Sequence, residues 1–244
     1  MFRGIIDGFA SYFSVLGFIN KHNLHGYFLL SGIISLLLGG LIFTASYLLS
    51  DTLGSLLFDL YPFERWSDYV HKILNVAAGG MVILLGFVLY KYLLLICIAP
   101  FMGPLSAKVE AIITGEPTDT KFSLKQTSYE IIRGIRISVR NVIREIIITL
   151  VLFILGLIPI FTAFVTPMIF LVQSYYAGFG NFDYYLERRA TVKESIRYIR
   201  QKRGLVIGNG AGFMLLLLIP VLGLFLAPVM STVAATKSAI AARS

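Results

Sequence analysis

The sequence predicts an all-α integral membrane protein with two long transmembrane helices, two re-entrant helical hairpins that penetrate only part of the bilayer, and amphipathic cytoplasmic helices. Three observations predict it. Apolar residues fill 57% of the 244 positions and charged residues only 14%, with mean hydropathy +0.82, whereas soluble domains carry about 25% charged residues. Tyr27 to Leu49 is an uncharged run, long enough to cross a hydrocarbon core of about 30 Å at about 1.5 Å per residue. An apolar element with two prolines also occurs twice, as LIPIFTAFVTP (Leu157 to Pro167) and LIPVLGLFLAP (Leu218 to Pro228). Pro159 and Pro167 thus recur as Pro220 and Pro228 at a constant offset of 61 (220 − 159 and 228 − 167).

No Pro/Ser/Gly-rich or single-sign linker divides the chain, so residues 1–244 read as one membrane domain. Cys97 is the only cysteine, which excludes an intrachain disulfide and any CxxC motif. A net charge of +8 in so apolar a chain is first tested against the positive-inside rule. Between Asp51 and Lys72 the only basic residues are Arg65 and Lys72, against four acids; the other 19 of the 21 Lys/Arg lie outside that segment. The bias places residues 51–72 outside and both termini in the cytoplasm.

Residues 1–22 carry Phe2, Ile5, Ile6, Phe9, Tyr12, Phe13 and Leu16 at helical spacing, which predicts a helix lying in the interface or packed on the rest of the protein. Residues 24–50 form the first span. Residues 51–72 are the outside connection, anchored by Tyr61, Trp66 and Tyr69. Residues 73–113 return as the second span and its cytoplasmic extension. Lys91 lies near its end and is expected to snorkel to the headgroups, and Pro100 and Pro104 are expected to bend or end the helix. TGEPTD (Thr114 to Asp119) reads as a loop.

A capping box of Ser123 and Gln126 opens residues 123–178, a basic helix followed by the first hairpin. Arg133, Arg136, Arg140 and Arg144 share one face there, a pattern that suits an interfacial helix or the binding of acidic headgroups and anions. The apolar part, Ile146 to Tyr176, is too short for two ordinary spans. Gly156, Pro159 and Pro167 interrupt a single one. A hairpin with Pro159, Pro167, Pro220 and Pro228 as tip residues of the two copies resolves this, and its turns should be buried in protein or line a water-filled cavity. Residues 181–238 repeat the plan: a Thr191–Glu194 capping box, basic Arg197, Arg200, Lys202 and Arg203, Gly204 as the residue ending the helix, then the second hairpin. Asn209 amid Gly208, Gly210 and Gly212 suits helix-to-helix hydrogen bonding or contact with a polar solute.

The stretch IAPFMGPLSAKVEAIITGEPT (Ile98 to Thr118), the FDY of Phe182 to Tyr184, RQKRG (Arg200 to Gly204) and LIPVLGLFLAPV with its earlier echo resemble the family of the bacterial sulfate permease CysZ and the eukaryotic etoposide-induced membrane proteins. The likeness runs from about Tyr90 to the C terminus. It implies two transmembrane helices plus two partly penetrating hairpins, assembled as homo-oligomers in the inner membrane and passing sulfate inward for cysteine synthesis. Where that family carries an arginine pair before the first span, this chain has His25 and Gly26, and a neutral imidazole does not replace two guanidinium charges. Where the family carries G-L-L-A-E, this chain reads Gly103, Pro104, Leu105, Ser106, Ala107, with Glu110 a turn later.

The leading functional expectation is an anion permease or channel with sulfate as substrate. Its candidate path residues are His25, Gly103, Glu110, Arg133, Arg136, Arg140, Arg203 and Asn209, with Arg144, Arg197 and Arg200 enriching anions at the inner mouth. The alternative is a non-transporting membrane scaffold that grips anionic lipid. HExxH, G-x-S-x-G and GxxxxGK[ST] are all absent, so an enzyme or ATP-driven pump is not expected, nor is a metal, cofactor or nucleic-acid partner.

Overall fold

A computed structural model describes residues 1–59, 67–116, 124–219 and 222–243, and among these there is no strand. The elements are α1 (Phe2–Ala10), a 3-10 turn (Ser11–Ser14), α2 (Val15–Lys21), α3 (Gly26–Asp59), α4 (Ser67–Thr114), α5 (Leu124–Gly156), α6 (Pro159–Leu186), α7 (Val192–Gln201), α8 (Arg203–Leu217) and α9 (Leu222–Ala241). Four stretches among the described residues are long and apolar enough to cross a membrane: Phe2–Lys21, Val88–Thr114, Pro159–Leu186 and Leu222–Ala241. Tyr61, Trp66, Ser123 and Pro220, together with residues 117–119 of the expected loop, lie outside the described residues.

The helices exceed their expected lengths. α3 runs to Asp59 and α4 begins at Ser67, so most of the segment read as an outside connection is helix. α4 also continues through Pro100 and Pro104. Tyr184 of α6 and Arg188, just beyond its end, hydrogen-bond α4 carbonyls on either side of Pro100: the Tyr184 hydroxyl donates to Leu95 O at 2.6 Å and an Arg188 nitrogen to Gly103 O at 2.9 Å. Neighbouring side chains of this kind are what make prolines tolerable inside membrane helices. α4 ends at Thr114, where Gly115 takes φ +74°, in agreement with the loop expected from TGEPTD.

The first proline element is a helical hairpin, but its arms are long. α5 is one 33-residue helix containing both the basic segment and the first arm, and α6 has 28 residues. The premise that each arm is too short to cross therefore fails for this first hairpin, because its helices continue into the polar flanks; in the second, α8 has 15 residues and falls short of a full span. The turn is Leu157–Ile158, and Pro159 opens α6 where its missing N–H costs nothing. Pro167 and Pro228 lie inside α6 and α9 and are not tip residues. The tips are also not buried: Leu157, Ile158, Ile160 and Phe164 are exposed at the first, Leu218 and Leu222 at the second. Local bonds satisfy the first turn, Leu157 N to Ile154 O at 3.2 Å and Ile158 N to Leu155 O at 3.2 Å, with the Thr162 hydroxyl on Gly156 O at 2.7 Å. With its backbone thus occupied, an apolar turn can meet lipid.

Close packing centres on α8, which α1 and α6 approach at glycines. A Cβ on Gly8 would stand 2.2 Å from Leu205 O, one on Gly208 2.1 Å from Ile5 O, and one on Gly178 2.0 Å from Val206 O. Small residues of this kind let backbones touch where no hydrophobic effect drives association in lipid. Gly204, expected to end α7, instead lies in α8 against the Met1 carbonyl. Of the N-terminal stripe Tyr12 alone is buried, while Phe2, Ile6, Phe9, Phe13 and Leu16 are exposed; the inward positions are completed by Val15 and Ile19, which lie off it.

The Thr191–Glu194 capping box is present in both directions, the Glu194 carboxylate accepting from Thr191 N at 2.7 Å. These bonds from Thr191 hold the Glu194 carboxyl below its ordinary range. Its contribution is therefore present above the ordinary carboxylate pKa and lost as pH falls through the folded value. Thr191→Ala should raise amide exchange in residues 192–196 by roughly fivefold, the factor matching a cap of about 1 kcal/mol. Acidification should lower the protection of the same amides once the intrinsic pH dependence of exchange is divided out, and hydrogen-exchange mass spectrometry reads both.

Candidate functional site

Charged side chains inside an apolar helical domain must find partners, because an isolated buried charge costs several kcal/mol. The described residues hold three such groupings, two along the seam between α4, α5 and α6 and the third where the chain leaving α6 meets α4. In the first, Lys91 Nζ donates to Glu145 Oε1 at 2.5 Å and Oε2 at 2.7 Å, and both side chains are 0% exposed. The Tyr92 hydroxyl donates to the same carboxylate at 2.8 Å. Lys91 does not snorkel. Glu145 from α5 is close enough to neutralise it in place, so the lysine has no need to reach the headgroups.

In the second, both terminal nitrogens of Arg133 fork onto Asp183, at 2.8 and 3.1 Å, and one also donates to the Ser195 hydroxyl at 2.7 Å. A planar guanidinium suits this two-point contact. It joins α5 to α6 and to the start of α7. Arg133 Nε, however, is buried without a partner.

The third surrounds Glu110. Arg188 reaches its carboxylate at 3.3 Å and Ser106 Oγ at 3.2 Å, Arg189 reaches it at 2.6 Å, and Ser106 bonds Thr236 at 2.9 Å. A Cβ on Gly103 would stand 2.6 Å from a Glu187 carboxylate oxygen, so a larger residue there would have to displace that side chain.

Between the groupings runs a cleft of about 40 Å³ lined by Tyr92, Ser138, Asn141, Asp183, Tyr184 and Glu187, with Ala99, Gly134 and Gly180 keeping its walls apart. By a measure of about 10–15 Å³ per water, it admits a few waters.

The predicted residues distribute unevenly around this seam. Gly103 and Glu110 come together at one end, and Arg133 stands behind Asp183. Arg136 and Arg203 are exposed, and His25 is exposed with its ring 6.4 Å from that of Phe28. Arg140 leans over Phe179 at 5.9 Å and donates to Asn141. Asn209 is wholly buried and serves as helix glue. It accepts from Asn181 at 3.0 Å, donates to Ser231 O at 3.0 Å, and its carbonyl accepts from Tyr12 at 2.7 Å. Sequence reasoning missed Glu145, Arg188 and Arg189 and quoted Asp183 only within a motif. Their partners stand 50 to 80 positions away, beyond any local periodicity.

The sequence matches the family described as sulfate transporter CysZ/etoposide-induced protein 2.4 over residues 11–228. The chain belongs to that family. Among curated relatives of this CysZ/etoposide-induced family, a "Sulfate transporter CysZ" of Pseudomonas fluorescens is 28% identical over 190 residues, covering 78% of this chain and 75% of the relative. A protein of the same name from Pseudomonas syringae pv. tomato is 27% identical over 165 residues, covering 67% of this chain and 65% of the relative. Family membership and the four apolar helices make this a multi-pass membrane protein of a transporter family, and the charge groupings are thus features of a membrane domain.

Proposed function

We propose that this protein is a membrane anion permease that passes sulfate inward along the α4–α5–α6 seam. The observation that carries the reading is Arg133. A buried guanidinium behind the cleft-lining Asp183 already holds an anion, that carboxylate, by two parallel bonds, and keeps a further N–H unpartnered. Sulfate presents oxygens at the spacing the same fork accepts, so an entering dianion can compete for the guanidinium, and the displaced Asp183 carboxylate must then take up a proton or another donor. The relatives named as sulfate transporters supply the substrate. A cleft of this size is narrower than a hydrated oxyanion, so passage requires α4 and α5 to part.

The charge bias supports an inner (cytoplasmic) membrane location with both termini in the cytoplasm. Partial penetration by the hairpins and homo-oligomeric assembly belong to the same proposal. Sulfate uptake into proteoliposomes is the direct test, expected to exceed that of protein-free vesicles and to fall when unlabelled sulfate competes. Uptake equal to that of empty vesicles overturns the permease reading and leaves the scaffold alternative, which the narrowness of the cleft favours.

A further inference from the structure

Every buried cation described above has a carboxylate, whereas three arginines at the α5–α7 edge have none among the described residues. Arg140 and Arg144 follow one another at i, i+4 on α5, and Arg200 lies in the last turn of α7. Arg144 and Arg200 are both close enough to Arg140 to repel it. Nearby lie Tyr175 and Tyr176, with ring centroids 5.2 Å apart; Tyr175 is within electrostatic reach of all three guanidinium groups and Tyr176 of the two on α5. Glu145, the nearest acid on α5, is occupied by Lys91 and Tyr92. Like charges brought together without a counter-ion form a site for one.

The neighbouring surface identifies the source of that counter-ion. Ile147 and Val151 follow Arg140 and Arg144 at i+7 on the same face of α5, and Ile154 follows Ile147 at i+7. These three are 57%, 54% and 59% exposed. A free inorganic ion has no use for an apolar track two turns long, whereas a phospholipid has both a phosphate and acyl chains. We propose that Arg140, Arg144 and Arg200, near the Tyr175–Tyr176 pair, hold the phosphate of an anionic phospholipid whose acyl chains lie along Ile147, Val151 and Ile154. This site adjoins the α4–α5–α6 cleft, Arg140 being bonded to the cleft-lining Asn141, but its argument does not depend on whether sulfate passes.

The test is titration of the purified full chain in detergent with dioleoylphosphatidylglycerol, dioleoylphosphatidylcholine or inorganic phosphate, read by native mass spectrometry and by thermal midpoint. The wild type should bind and be stabilised by phosphatidylglycerol in preference to phosphatidylcholine, with the preference shrinking as salt rises. R140Q/R144Q/R200Q should weaken phosphatidylglycerol binding by roughly a hundredfold, at about fivefold for each basic side chain lost. K21Q/K108Q/K193Q, which removes the same charge from exposed positions elsewhere, should leave it unchanged. Wild-type affinity in the arginine triple variant, equal binding of the two lipids, or displacement of the lipid by inorganic phosphate at equal concentration would overturn the proposal. The last outcome would make it a free-anion site. If the triple variant does not fold, R200Q, altered only at an exposed residue of α7, should still bind about fivefold more weakly, and undiminished binding there overturns the proposal as well.

Discussion

Glu145→Ala is expected to destabilise the protein by about 3–5 kcal/mol, because it leaves the Lys91 ammonium buried without a counter-charge. The pair is 0% exposed on both sides, with the ammonium 2.5 and 2.7 Å from the two carboxylate oxygens. The loss is a measure of uncompensated charge and not of the pair's own strength, so a second variant must separate the two. Lys91→Met/Glu145→Gln removes both charges while keeping an oxygen to accept from the Tyr92 hydroxyl, which otherwise loses its acceptor. Replacing both partners of a buried ion pair is often neutral or better. The double variant should therefore regain a thermal midpoint near that of the wild type, measured on purified protein. Wild-type stability of Glu145→Ala would sink the described pairing. Once the double variant folds, its sulfate uptake tells whether the charges at this end of the seam serve transport or only bind α4 to α5.

What the sequence made legible was whatever depends on near neighbours in the chain. Apolar runs, the Thr191–Glu194 cap, the turn beside Pro159 and the helix end before Gly115 are all set within a few residues, and each is found where the pattern puts it. Helix extents were not legible in the same way. α5 and α6 run on through polar residues because tertiary partners take up those polar groups: Arg133 with Asp183, and Tyr184 with the Leu95 carbonyl. Counting only apolar residues therefore made the hairpin arms too short. The site suffered most, since Lys91 and Glu145 are 54 positions apart, and a lysine at the end of an apolar run looks the same whether it snorkels or pairs. The four-arginine face of α5 shows the same limit. Its members share a stripe, yet Arg133 turns to Asp183, Arg136 is exposed, and Arg140 comes within electrostatic reach of Arg200, a division made by α6 and α7 and not by spacing.

Two glycines separate the fold from the path. At Gly210 an added Cβ would stand 1.7 Å from Ser174 O and 2.6 Å from Gly178 N, so even Gly210→Ala forces α6 and α8 apart along the face where Gly178 meets Val206. No flexible side chain is available to yield, and loss of the folded, monodisperse species is the expected result on size-exclusion chromatography. At Gly134, which lines the cleft, an added Cβ meets nothing within 4 Å. Gly134→Ala should thus fold and gain up to about 1 kcal/mol from helix propensity. Gly134→Leu sends a longer side chain from the same open position into the cleft between Tyr92, Ser138 and Asp183. The expected outcome is a protein that elutes and melts like the wild type while its sulfate uptake falls to that of empty vesicles. Undiminished uptake by folded Gly134→Leu would place the route for the anion elsewhere than between α4, α5 and α6, whatever the fate of Gly210→Ala.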